Sequence, residues 1–295
     1  MTIRLAEHSG FCFGVLRAIE TAYEAGRNSE NVCTLGELIH NPGIVSRLAN
    51  AGIKVCNEAG DISGATVVIR SHGVPPAVEA SLVAKGNKVI DATCPYVKRI
   101  QELVADMTDD GYTVLIQGDP EHPEVIGIKS YARDRAIVVD SETCLDLQDA
   151  TKLCLVSQTT GNMDAMQTMA ARLVPLCKEL RVYNTICHAT TQRQKAAEQL
   201  AKDSDMMIVI GGYNSSNTAQ LTRLCARYCT SIQIESAMEL AAPILLGKER
   251  IGITAGASTP AEAILEVYNR IKEIIGDPDR ATCIGEIPLF KEESC

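Results

Sequence analysis

Short runs of apolar, often β-branched residues alternate along this chain with stretches whose hydrophobic positions recur every three to four residues. The runs are VCTL (32–35), TVVIR (66–70), KVID (88–91), TVLIQ (113–117), AIVV (136–139), LCLV (153–156), MMIVI (206–210) and IGIT (251–254). Each is apolar almost throughout, without the alternation of a half-exposed strand, so each predicts a strand covered by helices on both faces. Helical patterns fall at roughly 14–26, 75–85, 96–110, 161–174, 189–203 and 260–275. Strand and helix in turn are the mark of parallel βα units, which makes this an α/β chain with mostly parallel sheets. No Pro/Gly/Ser-rich tract or long charge block interrupts the pattern, so its units are expected to pack tightly.

The pattern also repeats. Cys12, Cys94 and Cys187 are separated by 82 and 93 residues, and three glycine loops, 36–40, 118–122 and 212–216, step by 82 and 94. SHGV at 71–74, SQTT at 157–160 and GAST at 256–259 form a third set with a similar period. The expected division is 1–95 with Cys12, His40 and His72; 96–188, entered by Cys94, with His122, Glu124 and Thr159; and 189–295, entered by Cys187, with Ser215, Ser216, Asn217, Ser258 and a tail. Every repeated motif follows a predicted strand and precedes a helix. That is the carboxyl edge of a parallel sheet, where open α/β folds bind ligands and helix N-termini offer amides to anions. Three pseudo-symmetric domains should therefore aim their functional loops at a common centre.

Composition narrows the function. A chain of 295 residues, 46% hydrophobic and 22% charged, suits two ordinary domains or three small ones, and the repeat selects three. Net charge of −9 argues against a nucleic-acid groove or an anionic membrane surface as partner. No apolar run approaches the roughly 20 residues of a membrane span, and Cys12 comes too early for a leader, so a cytoplasmic protein is expected. Twelve cysteines are too few for a disulfide scaffold of this length. In a reducing compartment they are buried apolar filler or ligands, and Cys33, Cys56, Cys144, Cys154 and Cys177, in or beside apolar stretches, read as filler.

Cys12, Cys94 and Cys187 each precede a predicted helix, and Arg17, Arg99 and Arg193 follow them by five or six residues. A helix N-terminus favours a thiolate, the form that a metal site or a nucleophile needs. Three thiolates can hold an iron-sulfur cluster, whose usual complement is four, leaving one iron open to a substrate oxygen. Zinc with three cysteines and a water competes. Cys283 echoes the surroundings of Cys94 but has no helical pattern or arginine in step. Cys225 and Cys229 lie one helical turn apart and read as a buried face.

The remaining repeated positions supply anion chemistry. His40, His72 and His122 are three of five histidines, while the third repeat offers Ser215, Ser216 and Asn217, with Thr159 and Ser258 at the positions matching His72. Imidazoles, hydroxyls and an amide beside helix N-termini suit a phosphate or diphosphate. Glu124, two residues beyond His122, either complements a helix dipole or donates protons, since a carboxyl in a partly dry site holds its proton more tightly. Glu121 is its nearby decoy, and His188 would only tune the surroundings of Cys187.

The segments GFCFGV, IHNPG, RSHGV, DATCP, HPEV, VSQTT, TIC with ATTQRQ, GYNSSNT and TAGAS, spanning residues 10–258, resemble the LytB family of 4-hydroxy-3-methylbut-2-enyl diphosphate reductases, which close the non-mevalonate isoprenoid pathway. The resemblance implies a trefoil of three α/β domains around a [4Fe-4S] cluster held by Cys12, Cys94 and Cys187, with one open iron. It implies a diphosphate pocket of His40, His72, His122, Ser215, Ser216, Asn217 and Ser258. Glu124 would be the proton donor, with Thr159 beside the substrate hydroxyl and a ferredoxin or flavodoxin as electron source. His188 and Tyr213 depart from the family pattern without displacing any ligand. Two readings from other classes also use these residues: a zinc-dependent phosphohydrolase and a non-enzymatic iron-sulfur sensor.

Overall fold

The computed structural model describes residues 1–140, 143, 147 and 151–276, together with the backbone of Thr282–Ile284. Its strands form three sheets in which every neighbouring pair runs parallel. In the first sheet the spatial order is Lys54–Cys56, Val32–Leu35, Thr66–Ile69 and Lys88–Asp91. In the second it is Ala136–Val139, Thr113–Gln117, Lys152–Ser157 and Glu179–Val182. Both sheets therefore place their strands in the order second, first, third, fourth. The third sheet starts likewise, with Thr230–Ile234, Met206–Ile210 and Arg250–Ala255. Its fourth place, however, is filled by Thr2–Leu5, and Thr282–Ile284 lies outside that.

The strand at 2–5 hydrogen-bonds into the sheet of the last repeat, with Ile3 opposite Ile251 and Leu5 opposite Ile253. The cause is packing across long sequence separations: Ile3 is buried with Ile208, Ile253, Ile264 and Val267 in the core of that sheet. The chain divides into two compact bodies. Residues Phe13–Ile39 and Gly43–Cys187 carry the first two sheets, while Met1–Cys12, His40–Pro42 and the described residues from His188 onward carry the third.

Burial on both faces explains why the central strands are continuous apolar runs. Val114 and Ile116 pack with Ile100, Val104, Val125 and Ile128, whereas Leu115 between them packs on the opposite face with Met166, Met169 and Leu173. The third sheet does the same, with Ile208 and Ile210 on one side and Met207 and Val209 on the other. Successive strand residues alternate faces, so each run serves two cores at once, and each fully buried large side chain contributes about 1.5–3 kcal/mol. The expected helices are present, among them Phe13–Asn28, Pro76–Ala84, Pro95–Asp109, Met163–Leu173, His188–Lys202 and Ala261–Ile275.

Of the cysteines read as filler, Cys33 and Cys154 are buried, Cys56 and Cys177 are half-buried, and Cys144 lies outside the described residues. Cys225, at the end of the Ser216–Cys225 helix, is also buried. Among the described residues no helix is long and apolar enough to cross a membrane.

Candidate functional site

Each of the three cysteines stands at the exit of a fourth-place strand, one residue before a helix. Cys94 follows Lys88–Asp91, Cys187 follows Glu179–Val182, and Cys12 follows Thr2–Leu5, the strand that completes the third sheet. Each cysteine amide donates to a carbonyl in the loop that leaves the neighbouring third-place strand. Cys94 N reaches Ser71 O at 2.9 Å, Cys187 N reaches Thr159 O at 3.0 Å, and Cys12 N reaches Ala257 O at 3.2 Å. Those acceptors belong to the SHGV, SQTT and GAST motifs, so the sequence period has a hydrogen-bonded counterpart. Gly73 shows how closely one such loop is fitted. Its φ is +76°, and a Cβ there would lie 2.6 Å from Gln101 Nε2 and 3.1 Å from Thr93 Cγ2, just ahead of Cys94.

The chemistry of these thiols separates them from the filler. Burial pushes the thiols of Cys33, Cys154 and Cys225 up to about 12 each, which makes them poor thiolates. Cys12, Cys94 and Cys187 are half-buried and stand directly N-terminal to helices. That donor set fits a soft metal or an iron-sulfur cluster. The backbone of Cys283 lies within the edge strand, opposite Ile3, and does not occupy a strand-to-helix loop.

In all three sheets the strand order reverses between the second-place and third-place strands, the switch point at which open α/β sheets bind ligands. In the second sheet Thr113–Gln117 leads to His122 and Glu124, and Lys152–Ser157 leads to Thr159. A pair of hydrogen bonds closes this point. Thr159 N donates to Glu124 Oε1 at 2.6 Å, and Thr159 Oγ1 donates to Oε2 at 2.7 Å. Glu124 is only 2% exposed, and that burial raises its pKa against the opposing pull of the two Thr159 bonds. His122 caps the Pro123–Ser130 helix, its Nδ1 accepting from Glu124 N at 3.2 Å. Its ring meets that of His72 edge-on, with centroids 5.3 Å apart.

The switch point of the third sheet is built differently. Met206–Ile210 leads to Ser215, which caps the Ser216–Cys225 helix by accepting from Thr218 N at 3.4 Å. Asn217 follows and is 4% exposed, yet neither its Oδ1 nor its Nδ2 has a hydrogen-bond partner among the described residues. Across the point, Ser258 Oγ donates to His40 O at 3.1 Å while Asn41 Nδ2 donates to Ser258 O at 2.9 Å. The two bonds staple the His40 loop to the GAST loop. A buried amide left without partners costs about 1–3 kcal/mol, so this corner is chemically incomplete and suits a ligand rich in oxygen.

Other candidates fall away from these points. Glu121 and His188 are exposed. Tyr213 is exposed as well; its hydroxyl bonds Glu239, a contact that pushes its pKa up to about 12. Two contributors were not foreseen. Asn41 adjoins His40 in IHNPG, where it reads merely as a residue before a helix-starting proline. Thr185 exchanges bonds with Ser157, donating to its carbonyl at 2.6 Å and accepting from its amide at 2.7 Å, and so holds the approach to Cys187.

Comparison with known proteins agrees with this architecture. Residues 3–272 match the family described as LytB protein. A protein of Geobacter sulfurreducens named 4-hydroxy-3-methylbut-2-enyl diphosphate reductase is 46% identical over 92% of this chain and 98% of its own length. A protein of the same name from Aquifex aeolicus is 45% identical over 92% and 96%. A solved structure of (E)-4-hydroxy-3-methyl-but-2-enyl diphosphate reductase, described as the terminal enzyme of the non-mevalonate pathway, is 44% identical with a TM-score of 0.68, covering 92% of this chain and 99% of that one. The Plasmodium falciparum E-1-hydroxy-2-methyl-but-2-enyl-4-diphosphate reductase is 26% identical with a TM-score of 0.88, over 98% and 95%. With three parallel-sheet α/β domains and a family match over nearly its whole length, the chain belongs to the LytB family.

Proposed function

We propose that this member of a reductase family removes the allylic hydroxyl of 4-hydroxy-3-methylbut-2-enyl diphosphate, taking up two electrons and two protons and releasing water with isopentenyl or dimethylallyl diphosphate. The observation that carries this reading is the buried carboxyl of Glu124, gripped by the amide and hydroxyl of Thr159. Breaking a carbon–oxygen bond reductively needs a proton on the departing oxygen and another on the allyl carbon. A desolvated carboxyl that stays protonated above the usual carboxylate range is suited to supply them.

The diphosphate is assigned to donors at helix N-termini and loop ends: His40, His72, His122, Ser215, Ser216, Asn217 and Ser258. The orphaned amide of Asn217 supports this assignment, because a phosphate oxygen would accept from its Nδ2. Binding energy from that remote group orients the hydroxyl end toward Thr159. When Glu124 is protonated, Thr159 Oγ1 accepts its proton and passes its own to the substrate hydroxyl, acting as a one-atom relay. Cys12, Cys94 and Cys187 are assigned as the ligands of a [4Fe-4S] cluster. Such a cluster supplies electrons one at a time, and Lewis acidity at the iron that no cysteine holds. The electrons are assigned to a small ferredoxin or flavodoxin.

The test is Glu124→Gln, purified without oxygen and assayed with reduced viologen. Iron and sulfide content should match the parent while turnover falls at least about 100-fold. Retained cluster with near-normal turnover sinks the proton-donor role. A colourless, zinc-loaded parent protein would favour the phosphohydrolase instead.

A further inference from the structure

Among the three arginines that follow the cysteines in step, two are drawn inward and one is not. Arg17, on the helix after Cys12, sends Nη1 to Thr93 O at 2.9 Å and Nη2 to Asp91 O at 3.5 Å. Thr93 is the residue immediately before Cys94. Arg193, on the helix after Cys187, is 3% exposed and sends Nη2 to Gly10 O at 2.7 Å and Nη1 to Ala189 O at 3.4 Å. Gly10, with φ of +94°, lies two residues before Cys12. The third arginine, Arg99, is exposed. The approach to Cys187 is instead held locally, by Thr185 against Ser157 and by Asn184 Oδ1, which accepts from Ile186 N at 3.2 Å.

We propose that Arg17 and Arg193 are positioning residues for Cys94 and Cys12: each guanidinium, carried on the helix that follows one cysteine, fixes the backbone leading into another. Two features support the assignment. Each arginine donates to a main-chain carbonyl just upstream of a cysteine, Arg17 to Thr93 and Asp91, and Arg193 to Gly10. A guanidinium forms several such bonds from one rigid plane, so it fixes the direction of a carbonyl as well as its distance. The inference rests on the reading of the three cysteines as cluster ligands, but its geometric content concerns the thiols themselves.

The experiment compares Arg17→Leu, Arg193→Leu and Arg99→Leu in anaerobically purified holoprotein. Iron loss to a chelator is timed, and the cysteine first alkylated by iodoacetamide is located by peptide mapping. Arg17→Leu should release iron about 10-fold faster or more and expose Cys94 first; Arg193→Leu should do the same with Cys12 first; Arg99→Leu should match the parent. Arg17→Lys, which keeps one donor, should restore part of the protection of Cys94. Parent-like iron loss in both inward variants, or equal acceleration of alkylation at all three cysteines, overturns the proposal. Should either leucine variant fail to fold, Arg17→Gln and Arg193→Gln keep a neutral donor and give the same readout. Absence of iron from the parent would defeat the cluster reading, whereas labelling order in the metal-free protein would still judge the arginines.

Discussion

The switch points of the second and third sheets occupy the same place in the same topology but are finished in opposite ways. At the second, Glu124 and Thr159 satisfy each other with two short hydrogen bonds before any ligand arrives. At the third, the backbone loops are stapled by Ser258 and Asn41, while the amide of Asn217 is buried with no partner among the described residues. The first arrangement pre-organises a proton carrier, whose direction and protonation must be set in advance. The second stores an unpaired donor and acceptor that a ligand can satisfy, so part of the cost of holding them dry is recovered on binding. One fold thus keeps its chemistry and its anchoring at equivalent sites with different degrees of completion.

Substitutions can break this contrast, and the largest effect belongs to Glu124→Gln, through turnover. The same variant also sharpens the electrostatic side. Because the folded pKa of Glu124 is raised, the neutral carboxyl stabilises the fold fully at low pH, and that contribution is lost as pH rises through the raised value. Thermal unfolding followed from acid to alkaline pH should therefore show a decline in the parent that is absent in Glu124→Gln. Next comes Thr159→Val, which removes a hydroxyl that lowers the Glu124 pKa and relays its proton. Turnover should fall about 10-fold to 100-fold, and the alkaline limb of the pH–rate profile should move upward. An unmoved limb with reduced turnover would assign Thr159 to placement of the substrate alone.

Smaller effects are expected at the incomplete corner. Asn217→Leu removes the orphaned amide, so unfolding in the absence of ligand should be unchanged or shifted to higher stability by about 1 kcal/mol. KM for the diphosphate should rise about 10-fold while the stability gain persists. A clear loss of stability without ligand would mean that the amide is already satisfied. The smallest change is Asn41→Ala, which removes one bond of the staple and should lower stability by about 1 kcal/mol, seen as an earlier denaturant midpoint.

How much of this was legible in the residues follows from where each strand sits. Val32–Leu35, Thr66–Ile69, Thr113–Gln117, Met206–Ile210 and Arg250–Ala255 are covered on both faces and read as apolar runs. Lys54–Cys56, Glu179–Val182 and Thr230–Ile234 are sheet edges with exposed positions, so their composition is mixed and carries no such mark. The helices Pro42–Asn50, Pro123–Ser130 and Ser216–Cys225 are too short for their period to stand out, although they begin at the site loops. The period placed every cysteine before a helix correctly. It could not reveal that Thr2–Leu5 completes the last sheet, because strand partners are chosen by packing across long separations and not by local pattern. Spacing likewise grouped Arg17, Arg99 and Arg193 as equivalents. Only the folded backbone shows that two of them point inward.

That first strand has a consequence for how the protein is made. On the ribosome, both sheets formed between residues 32 and 182 can assemble from sequence already emerged. Thr2–Leu5, synthesised first, must wait for its neighbour Arg250–Ala255, some 245 residues later. At about 5–20 residues per second the delay is on the order of ten seconds to a minute. Cys12 finds its amide acceptor, Ala257, only at the end of that interval. The setting of Cys12 therefore depends on sequence as far as Ala257 having emerged.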